Sequence, residues 1–169
     1  MKEVKVKESA LIAAARQDMD SFLQVFIDGI YATIGGGLNS ENMGELNADQ
    51  ITLLAYQIMR EEVMDGGFVQ LIHNGYGPFF FRNPFAKMLR MWGLRDLSKL
   101  MYHVSDLYHQ FGEEIEKDCS DEEFMQLFER YSEFDEYDDD FVENEEGWTS
   151  AVASYVDEHL EQFATIEKE

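Results

Sequence analysis

Carboxylates are the side chains of this sequence most able to do chemistry, and they are unevenly spread. Seventeen of the thirty-four residues from Glu113 to Glu146 are Asp or Glu, with Lys117 and Arg130 opposing them, so this segment carries −15 of a formal −22. The remaining 18 acids and 11 bases carry −7. Such a concentration of one sign costs self-repulsion, focuses a negative field on one part of the surface and attracts basic partners. Aromatics are interleaved with the charges: Phe111, Phe124, Phe128, Tyr131, Phe134, Tyr137, Phe141 and Trp148. A disordered acidic tail has few aromatics, so the segment reads as folded, with its carboxylates held in fixed places.

The density of charge suggests one use for it. Thirty-four helical residues span about 51 Å, which gives roughly one carboxylate per 3 Å, while one strand of B-DNA places a phosphate every 3.4 Å or so of axis. Carboxylates at phosphate-like positions would occupy a surface of Lys and Arg that otherwise grips a DNA backbone. The candidate phosphate-mimicking residues are Glu113, Glu116, Asp121, Glu122, Glu129, Glu133, Asp135, Glu136, Asp138, Asp139, Asp140, Glu143, Glu145 and Glu146.

Plainer readings stand beside this one. An acidic helical face is ordinarily just solvated, and Asp121, Glu122 and Glu123 favour the macrodipole of a first helical turn. Between Pro78 and Gly112, five bases (Arg82, Lys87, Arg90, Arg95 and Lys99) face two acids (Asp96 and Asp106), and this stretch could neutralise part of the charge by packing beside it. Asp138-Asp139-Asp140 with Glu143 and Glu145 could gather a hard cation, but the EF-hand spacing fails. Starting that loop at Asp138 puts Val142 at its fifth position, and starting it at Asp140 puts Glu145 where glycine is needed.

Other chemistry is thinly supported. His103, Asp106 and His109 recur every three residues, a wide arc of a helix with no fourth metal ligand in view. His73 has no nucleophile partner. Cys119 sits among acids, which should raise its thiol pKa and oppose reactivity. Gly35-Gly36-Gly37 lacks the Lys and Ser/Thr of a phosphate loop. No triad, paired-acid cleft or cofactor box emerges, so neither an enzyme nor a cofactor is expected. A pI near 4.3 opposes direct contact with nucleic acid or anionic lipid. One cysteine rules out an internal disulfide framework and fits a reducing cytosol, and the first twenty residues hold no apolar run of signal-peptide length. A cytoplasmic protein with no membrane contact is the expectation.

The elements that must position these groups are helical nearly throughout, and the expectation is an all-α, single compact domain (1–169) of seven or eight helices. Leu11, Ile12, Ala15, Met19, Phe22, Phe26, Ile30 and Ile34 step by one, three or four and predict a helix from about Glu8 to Thr33, stopped by three glycines. Asn39 to Asn47 reads as a loop, and Asn47 with Gln50 forms a capping box for the stripe Ile51, Leu54, Ile58 and Met59. Asp65-Gly66-Gly67 interrupts it. A short helix carries Phe68 to His73, and Tyr76 to Pro84 is turn-like, with Phe79-Phe80-Phe81 as a candidate extended piece. Phe85 to Met91 is helical up to Gly93. Leu94 to Phe111 gives a long face, Ser120 with Glu123 caps the next helix, and Phe134, Tyr137 and Phe141 extend its stripe to a break at Gly147. Val152 to Phe163 forms the last helix.

The most distinctive local string is Met64-Asp65-Gly66-Gly67-Phe68-Val69-Gln70-Leu71-Ile72-His73-Asn74-Gly75. Paired glycines allow one helix to end and another to start sharply, Phe68, Leu71 and Ile72 anchor the second, Gln70 is placed to bond a neighbouring backbone, and Asn74-Gly75 suits a left-handed C-cap. With Glu61-Glu62 before it, the string resembles the signature of a bacterial DNA-mimic protein family of acidic helical domains formerly of unknown function. That pattern runs Glu, a few residues, Asn-Gly-Gly-Phe, any residue, Gln, two aromatic or apolar residues, then Asn and Gly. Asp65 replaces its usual asparagine, and Leu71-Ile72 its commoner aromatic pair. The resemblance is specific over Glu61 to Gly77 and loose elsewhere. It implies an all-α, non-enzymatic protein. For the mimic member it implies a dimer whose carboxylates occupy the DNA-binding face of a helix-turn-helix transcription factor and keep it from its operator. An acidic antitoxin or immunity-type module that plugs a basic enzyme site remains the alternative.

Overall fold

A computed structural model describes residues 1–168. The chain is 79% helical, so the all-α expectation holds. The elements run β1 (Lys5–Lys7), α1 (Glu8–Gln17), α2 (Met19–Ile34), α3 (Ala48–Leu71), α4 (Gly77–Phe81), α5 (Phe85–Met91), α6 (Arg95–Glu116), α7 (Asp121–Arg130), α8 (Asp135–Glu158), α9 (Leu160–Phe163) and β2 (Thr165–Glu167). Single turns of 3₁₀ helix occupy Met43–Glu45 and Ser132–Phe134, and a π-type turn occupies Ile72–Tyr76. No helix among the described residues is long and apolar enough to cross a membrane.

Two compact units divide the chain: Met1–Leu54 with the residues from Gly147 onward, and Ala55–Glu146. In the first, β1 and β2 pair in parallel, Val6 opposite Ile166, and Gly29 of α2 lies so close to Val6 that a Cβ there would come within 3.0 Å of its Cγ1. Leu23, Phe26, Ile27 and Ile30 of α2 are buried, with the Phe26 ring edge-on to Phe163 at 6.3 Å. Asn47 and Gln50 form the expected reciprocal cap and also donate to the carbonyls of Gln162 and Phe163.

The second unit holds the whole acidic segment. Its core includes Tyr56, Met59, Val63, Phe68, Leu71, Ile72, Leu97, Met101, Val104, Ile115, Phe134 and Phe141. The main chain of α3 turns at Gly67, where φ is 76° and ψ −175°, so the glycine pair interrupts the helix as its sequence implies. Gly75 ends the next turn with φ 93°, and Gly93 (φ 88°) ends α5.

Four expectations are corrected. The helix from Glu8 to Thr33 is two, because Asp18 is fully extended and its carboxylate accepts from the Ser21 N–H at 2.7 Å, capping a new start that the continuous apolar spacing hides. Phe79-Phe80-Phe81 is helical, with Pro78 in the first turn and Phe80 buried, whereas the breakers predict a turn. Ser132–Phe134 is a separate tight turn, so Phe134, Tyr137 and Phe141 do not continue α7 but lead into α8. Gly147 lies inside α8: buried Phe141, Thr149, Val152 and Val156 hold helical register on either side, outweighing the roughly 1 kcal/mol that an interior glycine costs. The terminal strands β1 and β2 are not foreseen.

At Gly67 a Cβ would strike the Asp138 carboxylate in a backbone region that other residues scarcely occupy. Gly67→Ala should therefore lower stability by about 2–5 kcal/mol in urea titrations. Gly37→Ala, at an exposed site with nothing within 4 Å, should stay within about 0.5 kcal/mol of the parent. Equal midpoints for the two variants would show that the close approach at Gly67 is not tight.

Candidate functional site

Helix geometry sorts the carboxylates of α8. Asp135, Glu136, Asp139, Asp140, Glu143 and Glu146 are all exposed. At 3.6 residues per turn they share an arc of about 140° and an axial length of about 16 Å, or one charge per 2.7 Å or so. That density lies between about 3.4 Å for one DNA strand and 1.7 Å for the duplex. The opposite face carries buried Phe141, Thr149, Val152 and Val156.

The other expected acids belong to neighbouring elements of the same unit. Glu113 and Glu116 occupy the last turn of α6, Asp121, Glu122 and Glu129 lie on α7, and Glu133 lies in the turn before α8. All of these but the half-buried Glu116 are exposed. The first-turn acids of α7 and α8 suit the helix dipole. Glu113 and Glu116 oppose it, since the C-terminal turn of α6 has no base. Three acids of the segment stand outside the expected set. Glu114 pairs with Lys117 at 2.8 Å, Glu123 completes the Ser120 capping box, and Asp118 is an exposed carboxylate that the sequence reading passes over.

Two expected mimics turn inward and are corrected. Asp138 accepts the Phe68 N–H at 2.8 Å, against the glycine kink of α3. Burial is the main cause that pushes its carboxyl up to about 7; the Phe68 bond works against the rise, and Asp135 and Asp139 add to it. Glu145 is ion-paired with Arg60 of α3 at 2.5 Å, both side chains being largely covered. Glu116 is partly engaged as well, accepting from the Tyr108 hydroxyl at 3.1 Å. Eleven of the fourteen residues are therefore exposed.

Concave ground adjoins the array. A cleft of about 490 Å³ is lined by Glu114, Lys117, Asp118, Cys119, Glu123, Glu129 and Arg130 among others. A second, of about 360 Å³, joins Glu113, Glu114 and Glu116 to Tyr108, His109 and Arg82, so one base of the Pro78–Gly112 stretch reaches the acids. Burial, then Glu123, Asp118 and Asp121, pushes the Cys119 thiol up, in the direction its acidic neighbours imply. Among the described residues no group of His, Cys, Asp and Glu is arranged to hold a metal ion. His103 instead stacks on Tyr137 of α8 at 5.8 Å. Tyr137's hydroxyl pKa is raised by burial and by the charges of Glu136, Asp106 and Asp140.

The glycine-rich string packs against the acid-bearing helices. Gln70 donates to the carboxylates of Glu62 and Asp65, at 2.7 and 3.0 Å, rather than to backbone as its position suggests. Asn74 donates to Glu62 too. His73 contacts the Ile115 carbonyl at 2.8 Å, and since a carbonyl only accepts, Nδ1 carries the proton. Its ring lies 4.7 Å from that of Phe124 on α7.

Residues 44–159 match the DMP19-like protein family. The chain is also 33% identical over 152 residues, 89% of its length and 92% of the relative's, to the DNA mimic protein DMP19 of Neisseria meningitidis serogroup B (strain ATCC BAA-335 / MC58).

Asp138 has a consequence for pH. A carboxyl raised from 3.8 in the unfolded chain to about 7 in the fold favours the folded state fully below pH 3.8, and this contribution is lost as pH climbs to 7. Asp138→Asn has no proton to lose. Its stability relative to the parent should improve by about 2–4 kcal/mol between pH 4 and pH 8. A difference that stays constant across urea titrations at those pH values would mean Asp138 titrates as a surface acid.

Proposed function

The chain belongs to the DMP19-like protein family, and on that premise we propose that it is a double-stranded-DNA mimic. Its exposed carboxylates occupy the DNA-binding face of a basic protein of the helix-turn-helix transcription-factor class. They keep that protein from its operator and so regulate transcription. The observation that carries this reading is the α8 array, six exposed acids within an arc of about 140° and at a charge density between those of one DNA strand and a duplex. The relative named for DNA mimicry, matched over most of both chains, supports it. A homodimer, as the resemblance implies, would double the array, and no catalytic role is proposed.

One observation favours a second reading. The 490 Å³ cleft brings Glu114, Asp118, Glu123 and Glu129 to one place, acids with which an antitoxin or immunity-type module would plug a basic enzyme site. Competition separates the two, since a mimic excludes DNA from its partner and a plug need not.

The test begins with basic DNA-binding proteins captured from a lysate on the immobilised chain. In the mimic reading the chain displaces a labelled duplex from the captured protein, and capture weakens steeply with salt because screened charges and released counterions dominate. Reversing Glu136, Asp139, Asp140 and Glu143 to lysine should weaken capture at least about tenfold. The circular-dichroism spectrum should not change. Undiminished capture by the reversed variant, or simultaneous binding of duplex and chain, would overturn the proposal.

A further inference from the structure

The centre of the Met64–Gly75 segment is uncharged, and Gly67, Phe68, Val69, Leu71 and Ile72 there are buried, so the electrostatic reading of the surface leaves its composition unexplained. Its contacts go to each of the acid-bearing elements. The Phe68 N–H meets Asp138 of α8, the Phe68 ring sits edge-on to Phe141 of α8 at 6.4 Å, His73 Nδ1–H donates to Ile115 in the last turn of α6, and the His73 ring lies against Phe124 of α7.

Resting on the mimic reading of that surface, we propose that the Met64–Gly75 segment is the seat that fixes the orientation of the acidic helices, with Asp138 and His73 as positioning residues. Asp138 lies about 130° around α8 from the centre of its exposed stripe. A carboxylate held at that point sets the rotation of the helix about its axis and turns the stripe to solvent. Glu145, two turns later on nearly the same side, is held by Arg60, two turns before Gly67 on α3. The pairs 68–138 and 60–145 therefore place α8 antiparallel to α3 and fix its rotation at two points. Only a residue without a side chain admits the carboxylate at position 67, which accounts for the second glycine of the string. His73 does the equivalent for the end of α6, where it satisfies a terminal carbonyl in the turn that carries Glu113 and Glu116.

This predicts a measurable rotation. With Cys119→Ser as background, spin labels are placed at Glu61→Cys on α3 and Glu143→Cys on α8, both exposed positions. A turn of α8 by about 40° on a radius of roughly 5 Å moves the second label by about 3.5 Å. Asp138→Ala should shift the mean inter-label distance by that order or about double its spread. Asp138→Asn, which keeps an oxygen to accept the Phe68 N–H, should restore the parent distribution, and Asp140→Ala, which removes an exposed acid from the same helix, should leave it alone. A parent-like distribution in a cooperatively folded Asp138→Ala would overturn the proposal. Amide exchange covers the case in which that variant does not fold: the Phe68 amide of the unaltered protein should exchange only on global unfolding, and rapid exchange would overturn the proposal as well. Neither readout involves a partner, so failure here is distinct from failure of the mimic reading, which the duplex-displacement assay decides.

Discussion

Six like charges on one face of α8 repel one another, and a helix that carries them outward keeps its place only if its inner face is held. The hold here is short-range and directional. Phe141 supplies apolar burial, Arg60 removes the charge of Glu145, and the backbone N–H of Phe68 receives Asp138. A raised carboxyl pKa has a further effect at neutral pH. At about 7 the Asp138 carboxyl is protonated for roughly half the time at neutral pH, so it adds less than a full charge to the repulsion among Asp135, Asp139 and their neighbours. Burial thus lets one acid of the helix serve as its anchor.

Local rules recovered most of the helices because most helices here end on local signals. Asn47 with Gln50 and Ser120 with Glu123 close the boxes their spacing announces, and Gly67, Gly75 and Gly93 take the left-handed backbone that glycine allows. The failures have a common origin in burial or contacts between distant residues. Gly147 reads as a breaker until Phe141, Thr149, Val152 and Val156 are seen to be buried around it. The triple phenylalanine reads as extended until Phe80 is found inside and Pro78 at the head of a turn. A signal for the first strand is present in the alternation of Val and Lys from Val4 to Lys7, but its partner lies far away in sequence, and nothing local pairs the two.

At the acidic surface the same division applies. That the carboxylates would be numerous, folded and interspersed with aromatics follows from composition. Which of them face water does not, because Asp138 differs from Asp139 and Asp140 only by 100° steps around a helix whose packed side the sequence leaves open. The useful sign was the turn of apolar residues: Phe134, Phe141 and Trp148 recur every seven residues and mark the inner face, and Asp138 and Glu145 lie along the same side. A similar reading accounts for two of the histidines. His103 is drawn to Tyr137 by stacking and His73 to a helix end by an orphan carbonyl.

Local stability accounts for only part of the acidity. Asp121, Glu122, Asp135 and Glu136 lie in first turns, where a negative charge is worth about 0.3–1 kcal/mol, Glu123 caps a helix and Glu114 pairs with Lys117. Glu113 and Glu116 sit at the wrong end of α6, Asp118 follows it, and Asp139, Asp140, Glu143 and Glu146 lie beyond the reach of any N-terminal dipole. Glu116 is offset by the Tyr108 hydroxyl and Glu113 by the charge of Lys117, while the others add mainly repulsion. A solvated face would serve as well with Gln, Asn or Lys mixed in, and the sequence from Asp135 to Glu146 has no base at all. The excess goes beyond what folding asks of this helix face, and the proposed mimicry would use it.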